Sequence, residues 1–428
     1  MLIPSLETSD DSNIENYQLE ELKKLLAYVN ERSTFYQKHF KDAGITINDI
    51  QSLSDLGKLP ITQKSDLQTH QREFWCVGAD QISDYCSTSG TEGKPVIVPL
   101  SANDVDRLAY NEAISLSCAG GGENEIYQLT TTIDRQFMAG YAYALGAKKI
   151  GAGMLRVGPG LPELQWRMIQ EVNPTALIIV PSFLNKLIEY ASKQGIDYKN
   201  SSVKKAICIG EPVRNADFQL NAIGQRITSN WDIELYSTYA STEMGTAFTE
   251  CAAGKGGHLH PELLIAEILD ENNSPVAPGE IGELTITTLG IEAMPLIRFK
   301  TGDLCYFDYS KCECGRNTPR LSPILGRKYQ LIKYKGTTCY PPAIFDLLDS
   351  EENITHYQVV VDADEFSNDT LKVLYSCNND VDSAELSKKF KSKLRVTPEL
   401  SRISEDELFP RVYPKSSRKP IKFLDQRK

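Results

Sequence analysis

Residues 176–210 read "ALIIVPSFLNKLIEYASKQGIDYKNSSVKKAICIG". Two short apolar runs, "ALIIV" and "AICIG", enclose a segment whose apolar residues recur at three- and four-residue spacing behind Pro181. A run without polar alternation suits a strand covered on both faces, and proline suits the first turn of a helix. The stretch therefore predicts strand, helix and strand, the repeating unit of a parallel α/β sheet. Toward the N-terminus, "SANDVDRLAYNEAISLSC" (101–118) and "LPELQWRMIQEVN" (161–173) predict further helices, as does "YQLEELKKLLAYVNERSTFYQKHFKDAG" (17–44), which closes on Gly44 as a C-cap. Toward the C-terminus, "LLIAEILDENNSPVAPGEIGELTITTL" (263–289) alternates in strand fashion around two turns. After residue 327, strands at "HYQVVVDAD" and "LKVLYSC" accompany an amphipathic helix at "SAELSKKFKSKL". The expected fold is α/β: a large N-terminal α/β domain with a β-rich subdomain (1–326) plus a small α+β C-terminal domain (327–428).

A chain of 428 residues exceeds the size at which one core keeps growing, in keeping with that division. Hydrophobic content of 41% and charged content of 24% are those of an ordinary globular protein. A net charge of −11 argues against nucleic acid or an anionic membrane as the main partner and favours a small molecule. No apolar run has the length of a transmembrane helix, and "MLIPSLETSDDSN" lacks the basic flank and apolar core of a signal peptide. The expected location is the cytoplasm. Ten cysteines are too sparse for a disulfide scaffold, and Cys208, inside an apolar run, reads as a reduced, buried thiol.

The stretch "YCSTSGTEGKPVIVPL" (85–100) is the first candidate for chemistry. From Ser87 to Lys94 every residue except Glu92 offers a donor to an oxyanion or removes the Cβ that would keep one from the backbone. A Walker loop is excluded, since Thr88 stands where its first glycine belongs and Pro95 follows the lysine. Pro95 and "VIVPL" predict a strand after the loop, so the loop joins strands and opens no helix. Alone, the stretch is either a phosphate cradle or a polar hairpin.

Four further stretches stand in a telling order: "GEP" (210–212) after a buried strand; "YASTEMG" (239–245), with an aromatic, two hydroxyls and a carboxylate; "FKTGDL" (299–304), with Asp303 after Gly302 in an expected tight turn; and the terminal "YPKSSRKPIKFLDQRK" (413–428). Each alone has a bland reading as a loop, a turn or a basic tail. Together with "TSGTEGKP" and "GRKYQLIKYKG", this order resembles the adenylate-forming superfamily of acyl-CoA synthetases, adenylation domains and luciferases. Within it the chain is similar to the phenylacetate-CoA ligase family, a likeness that extends to "FYQKHFKDAGI", "SLSDLGKLPITQKSDL", "GEIGELTITTLGIEAMPLIRFKTGD" and "YPPAIFDLL".

The resemblance implies an AMP-forming ligase that activates an aryl acid with ATP and Mg2+ and transfers it to coenzyme A, the C-terminal domain acting as a mobile lid. Ser87, Ser89, Gly90, Thr91, Gly93 and Lys94 would then hold the β- and γ-phosphates. Thr242 would bond the α-phosphate, Glu243 would hold Mg2+, and Tyr239 would stack on adenine against Gly210, Glu211 and Pro212. Asp303 would accept the ribose hydroxyls, with Arg327 in support, and Lys419 would be the catalytic lysine. Phe137 and Gly140, in "FMAGYAYALG", would line the acyl pocket; by helical spacing alone, Phe137 reads equally as core. Two positions depart from the family: Tyr329 replaces an acidic residue after the hinge arginine, and Arg418 replaces the glycine before the lysine.

Cysteine and histidine spacing supplies a metal candidate. Cys312 and Cys314 lie in "KCECGRNTP", and "TECAAGKGGHLH" adds Cys251 with His258, preferred over His260. Two or three thiolates and an imidazole suit structural Zn2+. Two rival functions are an aryl-acid ligase that loads an acyl carrier protein and a non-catalytic nucleotide-binding regulator. The sequence leaves the oligomeric state open, a homodimer being the assembly to test for.

Overall fold

The computed structural model describes residues 2–88, 94–334, 337–364, 368–379, 381–414 and 420–427. The chain separates into two compact units. The first comprises Met1–Gln219, Arg226–Thr301 and Cys305–Pro323; the second comprises Leu220–Gln225, Gly302–Leu304 and Ile324–Lys428.

The first unit opens with α1 (Asp11–Arg32) and α2 (Thr34–Asp42). The sequence pattern runs continuously through both, but Ser33 leaves the helical conformation and its hydroxyl accepts from Tyr36 N, so one residue ends α1 and caps α2. Gly44 follows with φ +65°, the left-handed conformation expected of a residue closing a helix. Next come α3 (Lys64–His70) and an antiparallel hairpin of β1 (Ile82–Ser87) and β2 (Ile97–Ser101), between which lies the candidate phosphate loop. The loop thus joins two strands, as Pro95 implies.

The central sheet is assembled from α4 (Ala102–Cys118), β3 (Ile126–Leu129), α5 (Met138–Lys149), β4 (Gly153–Arg156), α6 (Pro162–Val172), β5 (Ala176–Ile179), α7 (Pro181–Gln194), β6 (Lys205–Cys208), α8 (Ala222–Asn230) and β7 (Glu234–Ser241). Strands β4, β3, β5, β6 and β7 run parallel in that spatial order. Ala176 and Ile178 pack with Leu116 and Ala147 from α4 and α5, whereas Leu177 and Ile179, pointing the other way, are equally buried. Burial on both faces is why these strands carry no polar alternation. The sheet continues antiparallel through β8 (Thr246–Glu250) and β9 (Gly257–His258). After β10 (Leu264–Leu269), β11 (Gly282–Thr288) and β12 (Phe299–Cys305), β13 (Phe307–Asp308) and β14 (Arg320–Leu321) complete nine strands. β10 and β11 form the antiparallel pair expected around residues 263–289.

In the second unit β15 (Gly326–Arg327) pairs with Asp303 and Leu304. The unit continues through β16 (Ile332–Tyr334), β17 (Thr337–Cys339), α9 (Pro341–Asp349), β18 (Ile354–Ala363), β19 (Asp369–Cys377), α10 (Ser383–Leu394), β20 (Glu399–Arg402), α11 (Glu405–Val412) and β21 (Phe423–Asp425). Its sheet runs β20, β19, β18, β21 around a core that includes Val359, Val373 and Phe390. Among the described residues no helix is long and apolar enough to cross a membrane.

Helix α4 departs from simple amphipathicity, since its buried positions include Asp104, Asn111, Glu112, Ser115 and Ser117. Asp104 accepts from Ser101 N, Glu292 N and Ala293 N, while Ser115 Oγ, Thr249 Oγ1 and Thr238 Oγ1 form a buried chain. Glu112 lacks such support. Asn111 Nδ2 reaches Oε1 at 3.3 Å, and among the described residues Oε2 has no partner. Burial pushes its carboxyl from 4.5 up to about 8. The folded state therefore favours the protonated acid, and the stability this gives at low pH is lost as pH rises from 4.5 through 8. Glu112→Gln should gain on the parent by about 1.4 kcal/mol for each pH unit between 5 and 8 in urea unfolding. Parallel stability curves would contradict this.

Candidate active site and metal centre

Ser87 ends β1 in a buried position; its N donates to Gln136 O at 2.9 Å. Thr88, which the family resemblance leaves out of the phosphate set, closes the hairpin twice: its N donates to Val96 O at 3.0 Å and its Oγ1 accepts from Val96 N at 3.0 Å. Lys94 is exposed, with its carbonyl accepting from Gln68 Nε2. Ser89, Gly90, Thr91 and Gly93 lie outside the described residues, as do Arg418 and Lys419.

Gly210 to Pro212 follow β6 at its carboxyl end, where open α/β sheets place their ligands. Gly210 has φ +75° with open space around it, so backbone conformation and not crowding calls for glycine. Glu211 turns back onto α7, where its carboxylate accepts from Ser182 N at 2.9 Å and Ser182 Oγ at 3.0 Å. A carboxylate at the positive end of a helix is favourable and anchors this loop. Ser182 itself was legible only as a hydroxyl beside a helix-initiating proline.

"YASTEMG" is the end of β7 followed by a turn. Tyr239 pairs with Phe248 across β7 and β8, with ring centroids 6.1 Å apart. Tyr239, Thr242 and Glu243 are half-buried, and among the described residues no hydrogen bond or ion pair engages the side chains of Thr242 and Glu243. A hydroxyl and a carboxylate so presented can serve a ligand.

Asp303 does not lie in the expected tight turn. Gly302 and Asp303 are inside β12, where Gly302 takes φ +79° and Asp303 pairs with Arg327, so backbone pairing carries the strand through the glycine. Arg327 Nε donates to Asp303 Oδ1 at 3.1 Å, bringing the ribose candidate and its supporting arginine together.

Phe137 is half-buried at the N-cap of α5, so it is not a core residue on the helix face. Gly140 is buried, and a Cβ there would collide with the Thr132 carbonyl; glycine lets the 132–137 segment approach the helix. Arg135 and Gln136 both hold left-handed backbone, φ +57° and +59°. Two strained non-glycine residues, one tied to Ser87, sit between the acyl candidate and the hairpin.

Cys251, His258, Cys312 and Cys314 converge, with ligand atoms all within 4.8 Å of one another. Residues after β8, on β9 and between β13 and β14 supply them. Cys251 Sγ lies 3.5 Å from Cys312 Sγ, and Cys314 Sγ 3.3 Å from His258 Nε2. Donors at about 2.3 Å from one ion must lie less than about 4.6 Å apart, so the set fits a tetrahedral Zn2+ with little adjustment. His258 Nδ1 meets Thr318 Oγ1 at 3.1 Å, which leaves Nε2 facing the sulfurs. His260 is committed elsewhere, to Glu7 Oε1 at 2.5 Å. Burial pushes the Cys251 thiol up to about 12. For Cys314 burial is outweighed by hydrogen bonds from His258 and Arg316, which hold it down to about 5. Arg316 also bonds Glu7 Oε2 at 2.6 Å, a buried ion pair that ties the N-terminal segment to the loop bearing Cys314.

Residues 16–292 match the family described as AMP-binding enzyme. The chain is 32% identical to a phenylacetate-coenzyme A ligase of Thermus thermophilus over 84% of this chain and 81% of that one. It is 29% identical to the phenylacetate-coenzyme A ligase of Escherichia coli over 83% of this chain and 81% of its relative. Among solved structures, a 2-hydroxyisobutyryl-CoA ligase shares the fold with a TM-score of 0.86 at 22% identity, covering 100% of this chain and 94% of that chain. The α/β architecture expected from residues 176–210 is thus the architecture of this group. The chain belongs to the AMP-binding enzyme family and, within it, to the phenylacetate-coenzyme A ligase family.

Proposed function

We propose that this chain is an AMP-forming ligase that activates an aromatic carboxylic acid with ATP and passes the acyl group to the thiol of coenzyme A. The observation that carries the reading is the 32% identity to a phenylacetate-coenzyme A ligase over 84% of the chain. In the first step a carboxylate oxygen attacks the α-phosphorus and pyrophosphate leaves. In the second, a thiol sulfur attacks the acyl carbon, the carbon–oxygen bond breaks and AMP departs. Two anions must meet in the first step, so the protein's task is to position them and to balance charge.

In this reading Thr242 donates to the α-phosphate and Glu243 holds Mg2+, which when bound neutralises phosphate charge. Tyr239 covers adenine opposite Gly210, Glu211 and Pro212; the anchoring of Glu211 on α7 supports that wall. Asp303 accepts the ribose hydroxyls while Arg327 holds its carboxylate, and Ser87 and Lys94 flank the phosphate loop. Lys419 bridges the carboxylate and the α-phosphate as charge shifts between them. Zn2+ on Cys251, His258, Cys312 and Cys314 is structural, fixing the edge of the nine-stranded sheet.

Phe137 at the start of α5 supports a flat apolar acyl pocket. Burying and stacking one ring there contributes roughly 1.5–3 kcal/mol. Benzoate-, phenylacetate- or cinnamate-like acids should therefore release pyrophosphate faster than palmitate, and a panel assay with each acid checks this. Faster release with palmitate than with every aryl acid would overturn the aromatic assignment. Supplying coenzyme A and a pantetheinylated carrier protein in parallel identifies the thiol: the reading expects acyl-coenzyme A, and acylation of the carrier alone would favour the carrier-loading rival.

A further inference from the structure

Arg107 of α4 spreads one guanidinium over four uncharged acceptors. Its Nε donates to Leu289 O at 2.7 Å and its Nη1 to Gly245 O at 2.9 Å. Its Nη2 donates to Thr246 Oγ1 at 3.2 Å and to Leu263 O at 2.7 Å. Two glycines with left-handed backbone flank it, Gly245 at φ +54° and Gly290 at φ +70°; a Cβ on either would lie 3.7 Å from its atoms. Burial lowers its pKa only to about 10, so it stays charged at neutral pH. A planar fork with five donors can join three segments in this way, whereas a lysine ammonium cannot match the geometry.

One of those segments is the turn after β7. Gly245 N donates to Ser241 O at 3.2 Å and Met244 N to Ser241 Oγ at 3.4 Å, closing the turn from its first residue. Arg107 grips the same turn from its last. Thr242 and Glu243 lie between the two grips, and their own side chains are unengaged among the described residues. The turn is thus fixed through its backbone while its functional groups stay available.

We propose that Arg107 is a positioning residue for adenylation, holding the Ser241–Gly245 turn so that Thr242 and Glu243 meet the α-phosphate and its magnesium ion. This rests on the roles given to those two residues under the proposed function. Arg107→Lys, Glu243→Gln and the double variant are compared in ATP–pyrophosphate exchange and in calorimetric titrations of ATP with and without Mg2+. Arg107→Lys should lower both exchange turnover and the Mg2+-linked gain in ATP affinity roughly 10- to 100-fold, as loss of an outer-shell partner does. KM for the acid should hardly change. Because Arg107 reaches the metal only through Glu243, the double variant should lose no more Mg2+-linked affinity than Glu243→Gln alone. Additive losses, or an Arg107→Lys enzyme with the parent's Mg2+-linked affinity, would overturn the proposal, as would a parent without any Mg2+-linked affinity. A parent that binds Mg·ATP but shows no acid-dependent exchange would overturn the ligase reading, and the titrations would still decide the role of Arg107. If Arg107→Lys does not fold, Gly245→Ala, which strains the same turn, carries the same comparison.

Discussion

Replacing Lys419 by alanine is expected to slow ATP–pyrophosphate exchange about 100- to 1000-fold while leaving thioester formation from a supplied acyl-adenylate nearly unchanged. The magnitude is that of removing one preorganised charge contact from a transition state, about 2.7–4 kcal/mol. The asymmetry follows from the chemistry. In the adenylation step a carboxylate and an α-phosphate, both negative, approach each other, and a cation between them is worth most as the pentacovalent phosphorus forms. In the thioester step the acyl-adenylate is already made, the attacking sulfur meets a carbon centre, and no second anion has to be brought to the phosphate. A contact made only in one transition state lowers turnover of that step without weakening the other. Single-turnover measurements of both half-reactions on a variant with an unchanged melting temperature check this. Equal losses in the two would show that the lysine of the terminal motif has been wrongly identified.

Removal of the metal is expected to have the largest effect on stability. Purified protein should carry zinc close to one per chain, and Cys312→Ser should abolish most of it. Three sulfurs and an imidazole whose ligand atoms all lie within 4.8 Å of one another are the donor set of a structural zinc site, and without the ion the bonds that would join the three segments are lost. Structural zinc contributes about 10–16 kcal/mol to folding in isolated zinc-finger peptides. Here the sheet already holds the ligands, so about a third of that, roughly 5 kcal/mol, is the expected loss, or a fall of about 10–20 °C in melting temperature. Chelation of the parent should reproduce the variant's melting curve, and His260→Gln should leave zinc content unchanged because His260 serves Glu7. Metal-free protein with the melting temperature of the parent would contradict the site.

How much of this was legible depended on whether a residue's partner lay nearby in sequence. The α/β core was legible because Ala176–Ile179 and Lys205–Cys208 are buried on both faces, and that constraint writes itself as an unbroken apolar run. The helices 102–118, 162–172 and 181–194 were legible through their period and their caps. The metal ligands could be read because thiols and imidazoles cluster locally before the sheet brings the two clusters together. What could not be read were pairings set by tertiary geometry. Glu7 meets Arg316 and His260, and Arg107 meets Gly245, Leu263 and Leu289, across separations no local pattern encodes. Asp303 was read as a turn because Gly-Asp has that local preference, and pairing with Arg327 prevailed over it. The burial of polar residues in α4 was not legible for the same reason: Asp104 and Asn111 satisfy the backbone of Glu292, Ala293 and Ala247. The nucleotide roles were legible only through the ordered family motifs, since each motif alone reads as a loop.

The most direct test of the central claim follows one atom. Phenylacetate labelled with oxygen-18 in its carboxylate is incubated with the enzyme, Mg·ATP and coenzyme A, and the nucleotide product is examined by mass spectrometry. If the acid attacks the α-phosphorus and the thiol then expels the nucleotide, the product is AMP carrying one labelled oxygen, formed together with phenylacetyl-coenzyme A. Formation of ADP, or of AMP without label, would contradict an acyl-adenylate and with it the account given above.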